Sequence, residues 1–253
     1  RRSHVDLHHV DAVVLGLPNE RFCVIDPHDL PRIVAEFNEA GRRQRRHFGL
    51  GPRERLPDSA IIAFSGGGEN GAFGAGLACG WTAHGDRPTF NVVTGVSTGA
   101  LTAPLVFAGP HRDDRLRAAY TGISAEDVLN QRGLLSILTD DAIADSAPLA
   151  RTIARFMDEA LLAEIAAGYR GGRQLVITTT NLDAQRPVAW NLGAIAESGH
   201  PRALDLCRQV LMASAAVPGL LPPVMIDVTI DGRPHQEMHV DGGTYAQAYL
   251  YPP

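Results

Sequence analysis

Phe90-Asn91-Val92-Val93-Thr94-Gly95-Val96-Ser97-Thr98-Gly99-Ala100-Leu101-Thr102-Ala103-Pro104-Leu105-Val106 is the stretch on which the reading of this chain turns. Residues 90–94 read as a short buried strand, and Ala100 onward as a helix. Between them lies Gly95-x-Ser97-x-Gly99, a serine flanked by glycines at a strand-to-helix turn. Glycines permit the strained backbone and close approach that such a turn needs, and they leave the Ser97 hydroxyl at the mouth of a helix N-terminus. The pentapeptide alone is a moderate signal, because glycine, serine and threonine are common in ordinary turns.

The upstream segment sharpens it. Ala60-Ile61-Ile62-Ala63-Phe64 is a continuous apolar run, as in a strand buried on both faces. Ser65-Gly66-Gly67-Gly68-Glu69-Asn70-Gly71 follows, then a helix of small residues through Trp81. Gly66 and Ser97 lie 31 positions apart, about the span of one strand–helix–strand unit. Consecutive parallel strands end on one edge of a sheet, so the glycine loop and the Ser97 turn are expected to open side by side. Backbone N–H groups unobstructed by side chains, at the positive end of a helix dipole, form an anion cradle. A nucleophile beside such a cradle suits acyl transfer, in which each oxyanion donor contributes roughly 3–4 kcal/mol. Gly66-x-Gly68-x-x-Gly71 also satisfies a dinucleotide fingerprint, but the acid expected at the end of the next strand is missing; that strand runs into Ser97, and Asp86 precedes it.

Downstream, strands are expected at Gln174–Thr180 and Pro187–Trp190, a helix from Asp145-Ser146-Ala147-Pro148 and another over Ala203–Ala216. Val224–Ile230 and His235–Val240 form a hairpin around Asp231-Gly232. The fold class is therefore α/β, a three-layer α/β/α sandwich with a mostly parallel mixed central sheet. Residues 1–57 read as an N-terminal leader and 58–253 as the catalytic domain. In the leader, Phe22–Ile25 suits a strand and a helix runs from Asp29 or Pro31 to Gly41, with Arg42-Arg43-Gln44-Arg45-Arg46 as a solvated helix end or a contact for anionic lipid.

Composition closes off other chemistries. All 23 basic residues are arginine, which removes Schiff-base, Ser-Lys and P-loop lysine mechanisms. The net charge of -5 argues against a nucleic-acid partner. Cys23, Cys79 and Cys207 show no metal spacing, and the last two read as buried thiols. No apolar run reaches membrane-spanning length. The chain opens on Arg1-Arg2, so it reads as processed or trimmed.

A serine nucleophile needs a base. Asp241, in His239-Val240-Asp241-Gly242-Gly243, ends a strand and precedes two glycines. His235, Glu237, His239 and Asp241 alternate along one strand face, where a catalytic histidine or a metal site is the competing reading and a polar face opposite Met238 and Val240 the plainer one. Asp183 falls in a turn, Asp205 on a helix, and Asp140 and Asp141 form a helix cap. Leu134–Leu138 and Val217–Val224 are apolar runs for core packing or an acyl groove, and Trp81 and Trp190 read as core or near-core.

Ser-Gly-Gly-Gly-x-x-Gly at 65–71, Gly-x-Ser-x-Gly at 95–99 and Asp-Gly-Gly at 241–243, in that order, resemble the patatin-like phospholipases, here a bacterial member. Asn181-Leu182-Asp183 and Ser214-Ala215-Ala216-Val217-Pro218 are similar to that family's connecting segments, so the likeness runs from residue 58 to about 251. The resemblance implies a Ser-Asp dyad, with Ser97 as nucleophile, Asp241 as base and the N–H groups of Gly66, Gly67 and Gly68 as oxyanion hole. It implies lipid esters as substrates of phospholipase A or lysophospholipase type, no metal or organic cofactor, and an envelope or secreted location; peripheral contact with a membrane surface is a reading of the arginine run and the apolar segments. A Ser-His-Asp esterase and a non-catalytic lipid or acyl binder of the same fold are the alternatives. Family members commonly continue beyond the point where this chain stops, ten residues after Gly243, and such a C-terminal segment can shape the groove or a lid without touching the dyad.

Overall fold

A computed structural model describes residues 12–121 and 146–250. The expected segment at Leu134–Leu138 and the expected cap at Asp140 and Asp141 lie outside them. Strands β1 (Arg21–Phe22), β2 (Ile61–Phe64), β3 (Val92–Val96), β4 (Gln174–Asn181), β5 (Arg186–Asn191), β6 (Val224–Ile230) and β7 (Arg233–Asp241) form one sheet. Its main path runs β1-β5-β4-β3-β2, with β7 also on β4 and β6 on β7.

The mostly parallel sheet of the sequence reading is corrected here. Only β2–β3 and β3–β4 run parallel. β1–β5, β4–β5, β4–β7 and β6–β7 are antiparallel. Connection length is the physical reason. Parallel neighbours need a long crossover, whereas β4–β5 and β6–β7 are hairpins and hairpins pair antiparallel. In the second, Asp231 and Gly232 both sit at positive φ, 49° and 73°, the backbone of a tight two-residue turn.

Helices α1 (Leu30–His47), α2 (Gly71–His84), α3 (Thr98–Ala108), α4 (Asp113–Thr121), α5 (Ala147–Phe156), α6 (Glu159–Arg170), α7 (Leu192–Glu197) and α8 (Ala203–Ser214) complete the described elements. Register puts Val93, Leu175, Ile177 and Trp190 on one sheet face. There they join Ala100, Ala103 and Phe107 of α3, Leu161 and Ile165 of α6, and Leu206 and Val210 of α8 in the main core. Burial of each such large side chain contributes about 1.5–3 kcal/mol. On the opposite face Val176 and Ala189 meet Phe22 of β1 and Ile33 and Phe37 of α1. The N-terminal segment thus adds an edge strand and a covering helix to the same sheet. α1 continues past Gly41 to His47 because its arginines find acids on the same helix: Arg42 and Arg46 pair with Glu39, and Arg43 with Glu36.

Candidate active site

The turn after β3 has the geometry its glycines foretell. Ser97 lies at φ 54° and ψ −124°, in the region L-residues avoid, directly before α3. A Cβ on Gly95 would come within 2.5 Å of the Gly99 carbonyl oxygen, and one on Gly99 within 2.3 Å of the Phe64 carbonyl oxygen. Both glycines are therefore dictated by backbone packed against backbone. Next to them, a Cβ on Gly71 would fall 2.1 Å from Thr98 Oγ1. The N-termini of α2 and α3 therefore converge, bringing two positive dipole ends together. Tyr120 of α4 fixes this corner, donating its hydroxyl to the Thr98 carbonyl at 2.7 Å and lying 2.6 Å from Thr102 Oγ1.

Asp241 reaches the same corner through strand pairing. Along one edge of β4, β3 ends with Val96 opposite Thr178. β7 takes over at the next residue, with Asp241 opposite Thr179. The two strands therefore abut end to end on β4, and Ser97 and Asp241 meet at the joint. Gly242 permits the approach, since a Cβ there would lie 2.4 Å from the Thr178 carbonyl oxygen. Asp241 Oδ1 accepts the Gly243 N–H at 2.6 Å. Its Oδ2 is buried with no hydrogen-bond partner among the described residues. Burial pushes the carboxyl pKa up, partly offset by the neighbouring Ser97 hydroxyl and by the Gly243 N–H.

One short segment holds both residues from behind. Ser214 Oγ, fully buried at the end of α8, accepts the Ser97 N–H at 3.0 Å and donates to the Thr178 carbonyl at 2.7 Å. Two residues on, the Ala216 carbonyl accepts the Asp241 N–H at 3.0 Å. Sequence reading assigned no role to Ser214 or Ala216; the only signal was their place in a segment similar to the family's.

The glycine loop after β2 opens beside Ser97. A Cβ on Gly66 would lie 3.2 Å from Ser97 Cβ. The three N–H groups differ, however. That of Gly66 donates to the Gln247 carbonyl at 2.8 Å, whereas those of Gly67 and Gly68 enter no turn or loop bond among the described residues. Both glycines have positive φ, 149° and 57°, and a Cβ on Gly68 would meet open space. Gln247 was not anticipated, because nothing in a lone glutamine marks it.

The alternating polar face of β7, expected opposite Met238 and Val240, is buried. Glu237, His239 and Asp241 are all 5% exposed or less. Both His239 ring nitrogens are engaged away from Ser97, Nδ1 with Thr179 Oγ1 at 2.9 Å and Nε2 with Glu237 Oε2 at 3.1 Å. Asp183 accepts the Met238 N–H, and Asp205 lies in the first turn of α8; neither contacts the joint. Cys79 and Cys207 are buried free thiols, and burial raises Cys207 to about 12. Among the described residues no group of three or more His, Cys, Asp or Glu side chains is arranged to hold a metal ion. Nor is any helix among them long and apolar enough to cross a membrane.

An α/β sheet with a serine on a strained strand-to-helix turn beside a glycine loop defines the class. Residues 62–249 match the family model described as patatin-like phospholipase, and the chain belongs to that family. The match supports lipid acyl hydrolase activity in general, and with it hydrolysis of lipid esters. No curated protein matches the chain.

Proposed function

We propose that the chain is a serine lipid acyl hydrolase working through a Ser97–Asp241 dyad. Ser97 Oγ attacks the ester carbonyl carbon while Asp241 takes the hydroxyl proton. The tetrahedral oxyanion is held by the N–H groups of Gly67 and Gly68; Gly66 serves the loop through its bond to Gln247. Collapse expels the alcohol, which recovers the proton from Asp241 and leaves an acyl-Ser97 ester. Asp241 then takes a proton from water as it attacks that ester and returns it to Ser97 Oγ as the fatty acid leaves, restoring the hydroxyl and the carboxylate.

The observation that carries this reading is the end-to-end meeting of β3 and β7 on β4, which brings a hydroxyl on a strained turn to a buried carboxylate with a free oxygen. An ordinary solvated carboxylate is a weak base for an alcohol; burial that raises its pKa improves it. The engagement of both His239 nitrogens elsewhere speaks against a histidine base. Phospholipase A or lysophospholipase specificity, with peripheral contact at a lipid surface, is the finer reading that the family relationship favours.

Fluorophosphonate labelling tests the nucleophile. Stoichiometric labelling of the wild type, lost in Ser97→Ala, supports the proposal; a folded wild type that takes no label overturns it. Ester turnover is expected to vanish in Asp241→Asn.

A further inference from the structure

Nothing in the Ser97–Asp241 pair itself requires the buried polar face of β7 behind it. Buried polar and charged groups on a sheet are usually no more stabilising than well-packed apolar ones, so their presence asks for a reason. Here Glu237 and His239 are both satisfied, and in only one way. Glu237 accepts from the Arg21 guanidinium, which also donates to the Ala12 carbonyl at 2.7 Å. Against the opposing effect of burial, the hydrogen bond from His239 and the charge of Arg21 hold Glu237 ionised, at about 2. An ionised carboxylate only accepts, so His239 Nε2 carries the proton it shares with Glu237. Burial lowers the pKa of His239, so the ring is neutral and Nδ1 is an acceptor. Thr179 Oγ1–H therefore donates to Nδ1, and the same oxygen accepts the Trp190 indole N–H at 2.8 Å.

The direction of every proton is thus fixed, from Arg21 through Glu237 and His239 to Thr179 and Trp190. The rings support the same order, with Trp190 edge-on to His239 at 5.5 Å and Arg21 over Trp190 at 5.4 Å. The network ends at a telling place. Thr179 is the β4 residue opposite Asp241, at the joint where β7 replaces β3. A one-residue slip of β7 would turn Asp241 to the other sheet face. Backbone bonds alone tolerate such a slip; a side-chain chain with one permitted set of partners does not.

We propose that Arg21, Glu237, His239 and Thr179 are positioning residues, a buried relay that fixes the register of β7 and so sets the Asp241 carboxylate against Ser97. This rests on the dyad reading above. Its distal charge, Arg21, comes from β1, outside the family-matched residues 62–249, so the N-terminal segment completes the site without touching substrate.

The test is kcat and KM per fluorophosphonate-titrated serine, on the full chain with a soluble fatty-acyl ester. Thr179→Val keeps shape but removes the hydroxyl, and a displacement of the base by even about 1 Å costs up to ~100-fold in rate. The expected result is a fall in kcat of at least about tenfold with KM unchanged, and recovery to within about twofold in Thr179→Ser. Arg21→Lys, at the more accessible end, keeps the charge but not the fork that spans Glu237 and the Ala12 carbonyl, so a smaller loss of about threefold is expected. A merely structural role would lower the number of titratable sites and the melting temperature while leaving kcat per site at the wild-type value. Wild-type kcat per site in both Thr179→Val and Arg21→Lys overturns the relay and leaves the dyad standing. A folded wild type that is neither labelled nor active overturns the dyad, and the relay with it.

Discussion

Ser214→Ala isolates the clamp behind the nucleophile. The substitution removes one oxygen and leaves the side-chain volume almost unchanged, so no cavity contributes. Two hydrogen bonds disappear, the 3.0 Å bond from the Ser97 N–H and the 2.7 Å bond to the Thr178 carbonyl. Ser97 is 7% exposed and Ser214 fully buried, so water does not replace the lost acceptor. A buried N–H left without a partner costs about 1–3 kcal/mol, and the lost bond to the Thr178 carbonyl about 0.5–1.5 kcal/mol more. The sum is about 1.5–4.5 kcal/mol out of a total stability of about 5–15 kcal/mol. For a chain of this size each kcal/mol shifts Tm by about 2–4 °C, so a fall of roughly 3–18 °C is expected in thermal unfolding. Turnover per labelled serine should drop about tenfold or more, because the strained turn loses its anchor. Ser59→Ala, at an exposed position, is the control and should stay within about 0.5 kcal/mol. A Ser214→Ala protein with wild-type Tm and wild-type turnover would refute the reasoning.

Ser97→Gly and Ser97→Ala should both be inactive yet differ in stability. Glycine relieves about 1–3 kcal/mol of strain at φ 54°, against about 0.5–1 kcal/mol of added chain entropy and about 0.8 kcal/mol of lost methyl burial, so it should come out roughly 0.5 kcal/mol ahead in urea unfolding. A less stable glycine variant would put the strain at Ser97 below about 1.3–1.8 kcal/mol. Asp241 must be ionised to act as base, and its pKa is raised, so the acid limb of kcat/KM should fall above 3.8, the ordinary aspartate value. The linkage runs in the matching direction: a folded-state pKa above the unfolded one gives stability that is present below pH 3.8 and lost as pH rises through the raised value. Asp241→Asn should therefore flatten that part of the stability profile, measured by unfolding across acid pH; an unchanged slope counts against the assignment. Gly99→Ala would drive a methyl to 2.3 Å from the Phe64 carbonyl oxygen, costing at least about 3 kcal/mol, and should sharply reduce the yield of folded protein.

Local features of this molecule were readable in its sequence, and features made by pairing were not. The run Ala60–Phe64, the glycine loop and the Ser97 turn announce themselves because apolar continuity and glycine placement are consequences of backbone sterics at those residues. The hairpin at Asp231-Gly232 is legible for the same reason. β7 shows the limit. Its alternation was visible, but whether a polar face is buried depends on its partners, and here these arrive from distant positions: the charge of Arg21 and the hydrogen-bonding groups of Thr179 and Trp190. The sheet direction was misjudged because the first strand–helix–strand unit is parallel and was extended to strands joined by hairpins. α1 was expected to stop at Gly41, where the penalty of about 1 kcal/mol for one glycine is outweighed by acids placed to receive the arginines beyond it. Gln247 and the clamp residues carry no local mark; only their neighbours give them meaning.

The end-to-end joint of β3 and β7 has a consequence in time as well as in space. On the ribosome Ser97 and the glycine loop are made long before Asp241, so under the proposed dyad a nascent chain carries the nucleophile without its base. Only the docking of β7 onto β4 unites the two, and contacts of such sequence separation form slowly. Under that proposal a partly folded molecule, with β7 not yet paired, does not cleave esters. Ester turnover can then serve as a clock for the final strand pairing.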